Sequence, residues 1–332
     1  MDHPTLTRRT WLRYCAAGFG AAVAAPASAQ LRLRQPTNCG AFRRRTIVWQ
    51  PWASHAQLSA AEWRRLGEVA QQEGYTRVLV QWSRYGDTEF WPATEPRWLE
   101  AGLAHWRHQP LRLILGLYMG QDYYQVLAQP DPALRAHMLL CRERSLEEAQ
   151  RLLAHPPALP VDGWYLPQEI DDLNWRRGAR ESMLRDYLGA MREGLARLAP
   201  DKAALPVYVS AFFSGASSPG SFARLLERLH RETGVVWVVQ GGMGTHRLSD
   251  VRTARYLRAI SRTLPDTGWV GLLEVFDQQQ AGGTAPATFE PSTDAEVEQR
   301  RVLWCASTGR QPEMTFSLNQ RVAAARPGPS AR

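Results

Sequence analysis

Residues 163–169 read Gly-Trp-Tyr-Leu-Pro-Gln-Glu, an apolar run that ends on an amide and a carboxylate. The run is too short for a helix and predicts a buried strand. Seven similar runs recur along the chain, and between them lie segments with apolar residues at helical spacing. The eight predicted strands span residues 46–52, 77–82, 111–119, 163–169, 205–213, 235–240, 268–276 and 313–320.

Strands that alternate with helices indicate βαβ units and a parallel sheet. Eight such units in about 250–290 residues predict an α/β protein with a single (β/α)8 TIM barrel. A doubly wound open sheet is the alternative, but Trp49-Gln50-Pro51-Trp52 after the first strand lacks the glycines of a phosphate-binding loop. Gly241-Gly242-Met243-Gly244 follows the sixth strand, which is too late for that motif. Because the segment after Gln320 is short and rich in Pro and Ala, we expect the eighth helix to be missing or reduced.

Composition excludes a wholly disordered or fibrous protein: of 332 residues, 44% are hydrophobic and 22% are charged. The 13 tryptophans and the net charge of +8 fit either a nucleic-acid or a sugar ligand, since both stack on flat rings. Among the 40 basic residues only Lys202 is a lysine, and the arginines are scattered through predicted helices. We therefore interpret the charge as a solvated surface and expect no nucleic-acid partner. No apolar run reaches the roughly 18 residues that a transmembrane helix needs.

The first 29 residues resemble a twin-arginine export signal. Thr7-Arg8-Arg9-Thr10-Trp11-Leu12 carries the arginine pair, a small apolar run follows at 16–25, and Ala27-Ser28-Ala29 supplies the cleavage site. This pattern predicts cleavage after Ala29 and a periplasmic or secreted mature protein. We expect residues 30–44 to form an N-terminal extension, 45–320 the barrel and 321–332 a disordered tail.

The mature chain holds three cysteines, Cys39, Cys141 and Cys305, so at least one thiol stays unpaired. Cys141 and Cys305 lie in helical patterns and are most simply buried small hydrophobic residues. Asp171-Asp172 could bind a divalent metal or cap the following loop, and the cap is favoured because no histidine pair or acidic cluster completes a site. We predict no metal site and no cofactor.

In a TIM barrel, functional residues gather at the C-terminal ends of the strands, here called the mouth. These ends are rich in amides, aromatic rings and carboxylates and poor in basic residues, which favours a neutral polyhydroxyl ligand over a phosphate. The aromatic residues could form a sugar platform or pack in the core. The predicted substrate-binding residues are Gln50, Trp52, Gln81, Trp82, Tyr118, Gln121, Asp122, Gln168, Asp172, Tyr208 and Gln240.

Two glutamates stand out by position. Glu169 ends the fourth strand and Glu274 the seventh, so the barrel brings them to opposite sides of its mouth. Glycoside cleavage needs two such carboxyl groups, one to protonate the leaving oxygen and one to attack the anomeric carbon or activate water. We predict Glu169 and Glu274 as catalytic residues. The alternative is that each is a structural hydrogen-bond partner within the barrel.

This placement resembles that of the clan A glycoside hydrolases. The resemblance implies that Glu169 is the acid/base and Glu274 the nucleophile, with retention at the anomeric centre. In that clan an asparagine usually precedes the acid/base, whereas this chain has Gln168. The chain also resembles the bacterial domain-of-unknown-function 4434 family, itself regarded as a glycoside-hydrolase-like barrel. That second resemblance covers about residues 45–320 and is carried by Gln50-Pro51-Trp52, Val80-Gln81-Trp82, Gly116-Leu117-Tyr118-Met119-Gly120 and the 163–169 run.

These features together predict an exported, monomeric glycoside hydrolase that acts on a polysaccharide, either an exopolysaccharide or an envelope glycan. The alternative is a non-catalytic glycan-binding barrel in an envelope polysaccharide assembly. Such a barrel would share the aromatic mouth but would not need facing carboxylates.

Overall fold

The computed structural model describes residue 39 and residues 45–94, 96–176, 178–279 and 288–322. The predicted signal sequence, the predicted extension apart from Cys39, and the tail beyond Val322 lie outside the described residues. Among the residues described, no helix is long and apolar enough to cross a membrane.

Eight parallel strands close into a barrel, which confirms the predicted fold. Each strand pairs with the next one along the chain, and the last pairs with the first. The strands are β1 (Thr46–Trp49), β2 (Arg77–Val80), β3 (Arg112–Gly116), β4 (Val161–Asp171), β5 (Val207–Phe212), β6 (Val236–Gln240), β7 (Trp269–Glu274) and β8 (Met314–Phe316).

Helices connect the strands on the outside of the barrel. They are α1 (Ala60–Gln72), α2 (Trp98–Ala104), α3 (Tyr123–Leu127), α4 (Asp131–Ala154), α5 (Gly178–Leu198), α6 (Pro219–Thr233), α7 (Asp250–Thr263), α8 (Asp294–Thr308) and α9 (Leu318–Arg321). The predicted run 313–320 was wrong at its end, because β8 stops at Phe316 and α9 follows. Within the described part of the chain the eighth helix is therefore reduced to four residues, as expected.

Local sequence sets where α1 and α8 begin. The Ser59 hydroxyl accepts a hydrogen bond from the Glu62 amide, and the Glu62 carboxylate accepts one from the Ser59 amide. Thr293 and Glu296 form the same reciprocal pair at α8. Each box satisfies two backbone amides that a helix start leaves without partners.

The core has two layers. Inside the barrel lies a ring with one side chain from each strand: Val48, Leu79, Ile114, Tyr165, Tyr208, Val238, Leu272 and Met314. The larger layer lies between strands and helices and holds most of the tryptophans; of those described, only Trp98 is more than 4% exposed. Successive side chains of a strand point to opposite faces. Gln240 and Glu274 lie two positions after the inward Val238 and Leu272, so they also face into the barrel.

A disulfide joins Cys39 to Cys305 of α8, with 5.8 Å between their Cα atoms. Cys305 is buried, as predicted, but it is disulfide-bonded, because a helical pattern does not reveal a partner 266 residues away. Cys141 is a free, buried thiol, as predicted.

Loss of this disulfide should lower the free energy of unfolding by about 2–4 kcal/mol, because the cross-link restricts the unfolded chain. The change to test is Cys305→Ser, with Cys141→Ser as the control that leaves the cross-link intact. Thiol titration of the unfolded mature wild type should find one thiol without reductant and three with it. Three thiols without reductant would contradict the pairing.

Candidate active site

The two polar residues that end the 163–169 run lie in a stretch of β4 with an irregular pairing to β5. Leu166 pairs with Val209 and Ile170 pairs with Ala211, so three residues of β4 stand opposite one residue of β5. A bulge of this kind re-aims side chains and is frequent beside active sites. Tyr165 faces into the barrel, so alternation along β4 turns Gln168 outward to α5, where the Tyr187 hydroxyl donates to its Oε1 (2.8 Å), and Glu169 inward.

Glu169 is 6% exposed, and neutral donors hold its carboxylate. The Gln240 amide donates to Oε1 (3.0 Å), and the Tyr124 hydroxyl donates to Oε2 (2.7 Å). Burial raises the pKa of Glu169 above its usual value of 4.5, although these hydrogen bonds and the positive charge of Arg247 oppose the shift. A carboxyl group with a raised pKa can hold a proton at a pH at which an exposed glutamate is ionised.

Glu274 is 2% exposed and is held by backbone amides. Gly242 donates to its Oε1 (3.1 Å) and Gly244 to its Oε2 (2.8 Å). Burial raises the pKa of this carboxyl group, while the amide donors and the nearby Arg300 oppose the rise. Backbone amides can only donate, so they favour the ionised carboxylate, whereas the Tyr124 hydroxyl beside Glu169 can also accept a hydrogen bond from a protonated carboxyl group.

The two carboxylates contact the same short segment at the end of β6. Glu169 meets Gln240, the last residue of β6, and Glu274 meets Gly242, two residues further on. The glycine-rich segment that looked too late for a phosphate motif thus serves as a carboxylate cradle. The barrel brings together the two predicted catalytic residues around this segment.

A small cavity lies beneath Glu169 inside the barrel. Its polar lining consists of Gln81, Gln240, and the hydrogen-bonded pair of the Tyr165 and Ser210 hydroxyls (2.8 Å). The Gln81 Oε1 is buried and has no hydrogen-bond partner among the described residues. Since an unpaired buried acceptor is costly, this atom is suited to receive a ligand hydroxyl or a water.

Two of the predicted substrate-binding residues are buried tryptophans. Trp52 is 4% and Trp82 is 1% exposed, and their rings pack edge to face at 5.8 Å. The Trp82 indole donates to the Pro51 carbonyl oxygen (3.0 Å). Neither ring offers a broad face to solvent; the partly exposed rings around the mouth are Tyr124, Phe212 and Phe316.

Gln168 and Asp172 lie in structural networks away from the cavity. The Gln168 Nε2 donates to the Tyr118 carbonyl oxygen (2.8 Å). Asp172 is fully buried and accepts four hydrogen bonds, from the Ser214 amide and hydroxyl, the Ser217 amide and the Tyr256 hydroxyl. Asp171 accepts from the Leu173 and Asn174 amides, which is the loop-capping role that the sequence favoured.

The other predicted binding residues are spread around the barrel. Tyr208 is inward, but its hydroxyl interacts with Arg77 at the start of β2, at the end opposite the mouth. Asn319 holds the Gln50 backbone through two 2.9 Å hydrogen bonds, while the Gln50 Nε2 is buried without a partner among the described residues. Tyr118 lies under the Arg84 guanidinium at 5.7 Å.

Gln121 and Asp122 lie on the rim that precedes α3. Gln121 is exposed, and its side chain lies close to Gly86 of the loop after β2. Asp122 is half exposed and lies 3.5 Å from the His137 Nδ1. Both side chains could reach a ligand only outside the cavity that Gln81 and Gln240 line.

Sequence reasoning missed three features of the site. These are the amide cradle around Glu274, the hydroxyl donor Tyr124 as a partner of Glu169, and Arg247. Gly241-Gly242-Met243-Gly244 was the available signal for the first, because repeated glycines allow backbone amides to approach a carboxylate closely.

A buried ion cluster fixes the loop after β2 beside the mouth. Glu148 of α4 is fully buried and contacts Arg151 (3.0 Å) and Arg84 (3.8 Å), and Glu89 pairs with both arginines. The Ser83 hydroxyl also donates to Glu148 (3.2 Å). Burial raises the pKa of Glu148 to about 7, against the opposing effect of the two arginines.

This cluster predicts a pH dependence of stability. Because the folded state raises the pKa of Glu148, it binds a proton more tightly than the unfolded state does, so stability falls as pH rises from 4.5 to about 7. The loss should reach up to about 3 kcal/mol. Urea unfolding at both ends of this range measures how the unfolding free energy changes with pH. That change should be smaller in Glu148→Gln than in wild type and the same as wild type in Glu143→Gln, on the exposed face of α4. A pH dependence of the unfolding free energy that is the same in Glu148→Gln as in wild type would contradict the prediction.

The comparisons with known proteins show the family and the fold of the chain. The family model described as Domain of unknown function (DUF4434) matches residues 46–323. The chain belongs to this family. A relative of this DUF4434 chain, Uncharacterized protein YbcH of Escherichia coli strain K12, is 33% identical over 257 residues, which cover 77% of this chain and 83% of that protein.

Two solved structures show the same fold at low identity. One, from Bacteroides thetaiotaomicron and assigned as an alpha-L-fucosidase, has a TM-score of 0.64 and 13% identity, covering 90% of the DUF4434 chain and 91% of its own. The other is the catalytic domain of a beta-amylase from Paenibacillus polymyxa, with a TM-score of 0.53 and 8% identity, covering 87% and 96%. The fold of this DUF4434 chain is therefore a glycoside-hydrolase-like TIM barrel.

Proposed function

We propose that this protein is an exported glycoside hydrolase that cleaves a polysaccharide, either an exopolysaccharide or an envelope glycan. The observation that carries the proposal is the pair of buried carboxylates, Glu169 and Glu274, at the ends of β4 and β7 and in contact with one segment at the end of β6. Two carboxyl groups at the mouth of one barrel are the minimum machinery for glycoside hydrolysis.

The donors around each carboxylate support a different role for each glutamate. Glu169 carries the proton, because the Tyr124 hydroxyl can rotate and accept a hydrogen bond from the protonated acid. Glu274 remains ionised, because both of its oxygens face amide donors. The proposed assignment is that Glu169 is the acid/base and Glu274 the nucleophile.

In the proposed reaction, Glu169 protonates the glycosidic oxygen while Glu274 attacks the anomeric carbon. The sugar–oxygen bond breaks, and an ester forms between the sugar and Glu274. Ionised Glu169 then removes a proton from water, which attacks the same carbon and releases Glu274. Two displacements at one carbon retain its configuration, so NMR of the first product should show the anomer of the substrate.

The tryptophans favour catalysis over a purely binding role. A glycan-binding barrel without catalysis would use exposed rings as its platform, but Trp52 and Trp82 at the strand ends are buried. The buried carboxylates are costly to maintain. A binding module gains nothing from that cost.

Two observations support export. The twin-arginine pattern with Ala27-Ser28-Ala29 precedes the barrel, and Cys39 and Cys305 are paired. Disulfides persist in oxidising compartments such as the periplasm. Expression of the full chain should yield a periplasmic protein that begins at Gln30, and replacement of Arg8 and Arg9 by lysines should retain it in the cytoplasm.

The decisive test is hydrolysis by the purified mature protein. We expect it to release new reducing ends from at least one member of a panel of bacterial exopolysaccharides and envelope glycans. Glu169→Gln prepared in parallel serves as the control for contaminating enzymes. Activity that is equal in the two preparations, or absent across the panel, would count against a hydrolase.

A further inference from the structure

Arg247 is a cation at the mouth that contacts no carboxylate among the described residues. It is half-buried and makes no hydrogen bond or ion pair with any residue that the structure describes. Its guanidinium lies over the Phe212 ring, 5.3 Å from the centroid. A partly buried charge is normally paired, so the missing anion needs an explanation.

The position of Arg247 is set by β5 and β6. Phe212 ends β5, faces inward with Tyr208 and Ser210, and pairs in register with Asp171 on one side and Gln240 on the other. The Arg247 charge is also close enough to Glu169 to lower its pKa. The guanidinium therefore lies beside the proposed acid/base.

The segment that carries Arg247 is held from several sides. Glu274 accepts from the amides of Gly242 and Gly244, and the Gly244 carbonyl accepts from the Gln278 amide (2.7 Å). His246 lies 2.9 Å from an Asp277 oxygen, which in turn accepts from Arg300 (2.6 Å). The backbone next to Arg247 is thus positioned before any ligand arrives.

The ring contact leaves the donors of Arg247 available. A guanidinium over an aromatic face uses its π surface there, while its N–H groups point outward from its edge. Two parallel N–H groups match the two oxygens of a carboxylate. A phosphate dianion fits less well, because the ionised Glu274 would repel its higher charge.

We propose that Arg247 binds the carboxylate of an acidic sugar in the subsite next to Glu169, so that the substrate is a uronic-acid-containing glycan. The inference rests on the proposed function in that it names the substrate class of the same site. It revises the sequence-based expectation of a neutral ligand, which came from the scarcity of basic residues at the strand ends. Arg247 escaped that reasoning because it lies seven residues beyond the end of β6.

Binding to paired polymers tests the proposal without requiring cleavage. The probes are alginate, polygalacturonate and hyaluronate, each beside its carboxyl-reduced neutral form, and dextran sulfate. The protein is mature Glu169→Gln, alone and combined with Arg247→Gln or Arg258→Gln. Arg258 is an exposed residue on the outer face of α7 and controls for the loss of one positive charge.

We expect Glu169→Gln to bind at least one acidic polymer about tenfold or more tightly than its reduced form, the usual size of a charged hydrogen bond. Arg247→Gln should bring that ratio close to one, and Arg258→Gln should leave it unchanged. The proposal is overturned if the ratio of affinities for the acidic and reduced forms is near one for all three polymers. It is also overturned if that ratio survives Arg247→Gln or falls equally with Arg258→Gln. Preferential binding of dextran sulfate would overturn it too. Wild type that binds through Arg247 but cleaves nothing would refute the hydrolase and leave this inference standing.

Discussion

Glu169→Gln is expected to lower kcat on the polysaccharide substrate by about 10²- to 10⁴-fold, the range for loss of a general acid or base. The fold should remain intact, because the glutamine oxygen can accept from Gln240 and its amide can donate to the Tyr124 hydroxyl oxygen. The expected change in unfolding free energy is below about 1 kcal/mol. Thermal unfolding beside steady-state kinetics measures both quantities.

Two further readouts separate an acid/base from a structural residue. An aryl glycoside of the same sugar has a leaving group that needs little protonation, so Glu169→Gln should slow its first displacement much less than that of the polysaccharide. The alkaline limb of the wild-type pH profile should lie above pH 4.5, since burial raises the pKa of Glu169, and should disappear in the variant. Glu193→Gln, on the exposed face of α5, is the matched control. Equal slowing of both substrates would contradict the assignment.

The architecture was predictable from sequence because it depends on the local spacing of apolar residues. Each strand is a short apolar run, and alternation within it decides which residues enter the barrel, as Leu272 and Glu274 show. Eight strands joined by helices favour a closed barrel in which consecutive strands are neighbours. The positions of the two glutamates followed from that topology.

The immediate partners of the site could not be predicted, because they depend on loops and on contacts between distant elements. Alternation from Tyr165 gives the outward Gln168 and the inward Glu169, but their partners Tyr187 and Gln240 come from other elements. Asp172 has the composition of a ligand-binding residue, but the loop after β5 folds back onto it. Contacts between residues dozens of positions apart decide both cases.

Glu274→Ala is expected to cause the largest loss of activity, on the order of 10⁴- to 10⁶-fold in kcat, as in other enzymes deprived of a covalent nucleophile. Glu274→Gln should be similarly inactive but should also lose stability. Its amide group would face the Gly242 or Gly244 N–H, so two donors would meet in a buried site. That arrangement costs about 1–3 kcal/mol, in contrast to the near-neutral change at Glu169.

Because Glu274→Gln affects both properties, its kcat must be divided by the folded fraction measured at the assay temperature. A variant that is less stable but fully active per folded molecule would show that Glu274 only anchors the segment after β6. The matched comparison is Glu274→Asp, which keeps the charge but shortens the reach by one methylene. It should remain largely inactive if Glu274 attacks carbon, since displacement tolerates little change in distance.

The amide cradle offers a direct test of the nucleophile. In Glu274→Ala, the Gly242 and Gly244 amides lose their acceptor and surround a space of carboxylate size. Formate carries the same two oxygens, so it should bind there and attack the anomeric carbon from the side that Glu274 used. Added formate should restore part of the activity of Glu274→Ala toward an aryl glycoside and none of the activity of Glu169→Gln. Rescue of neither variant would leave the amides as a structural clamp and remove Glu274 from the chemistry.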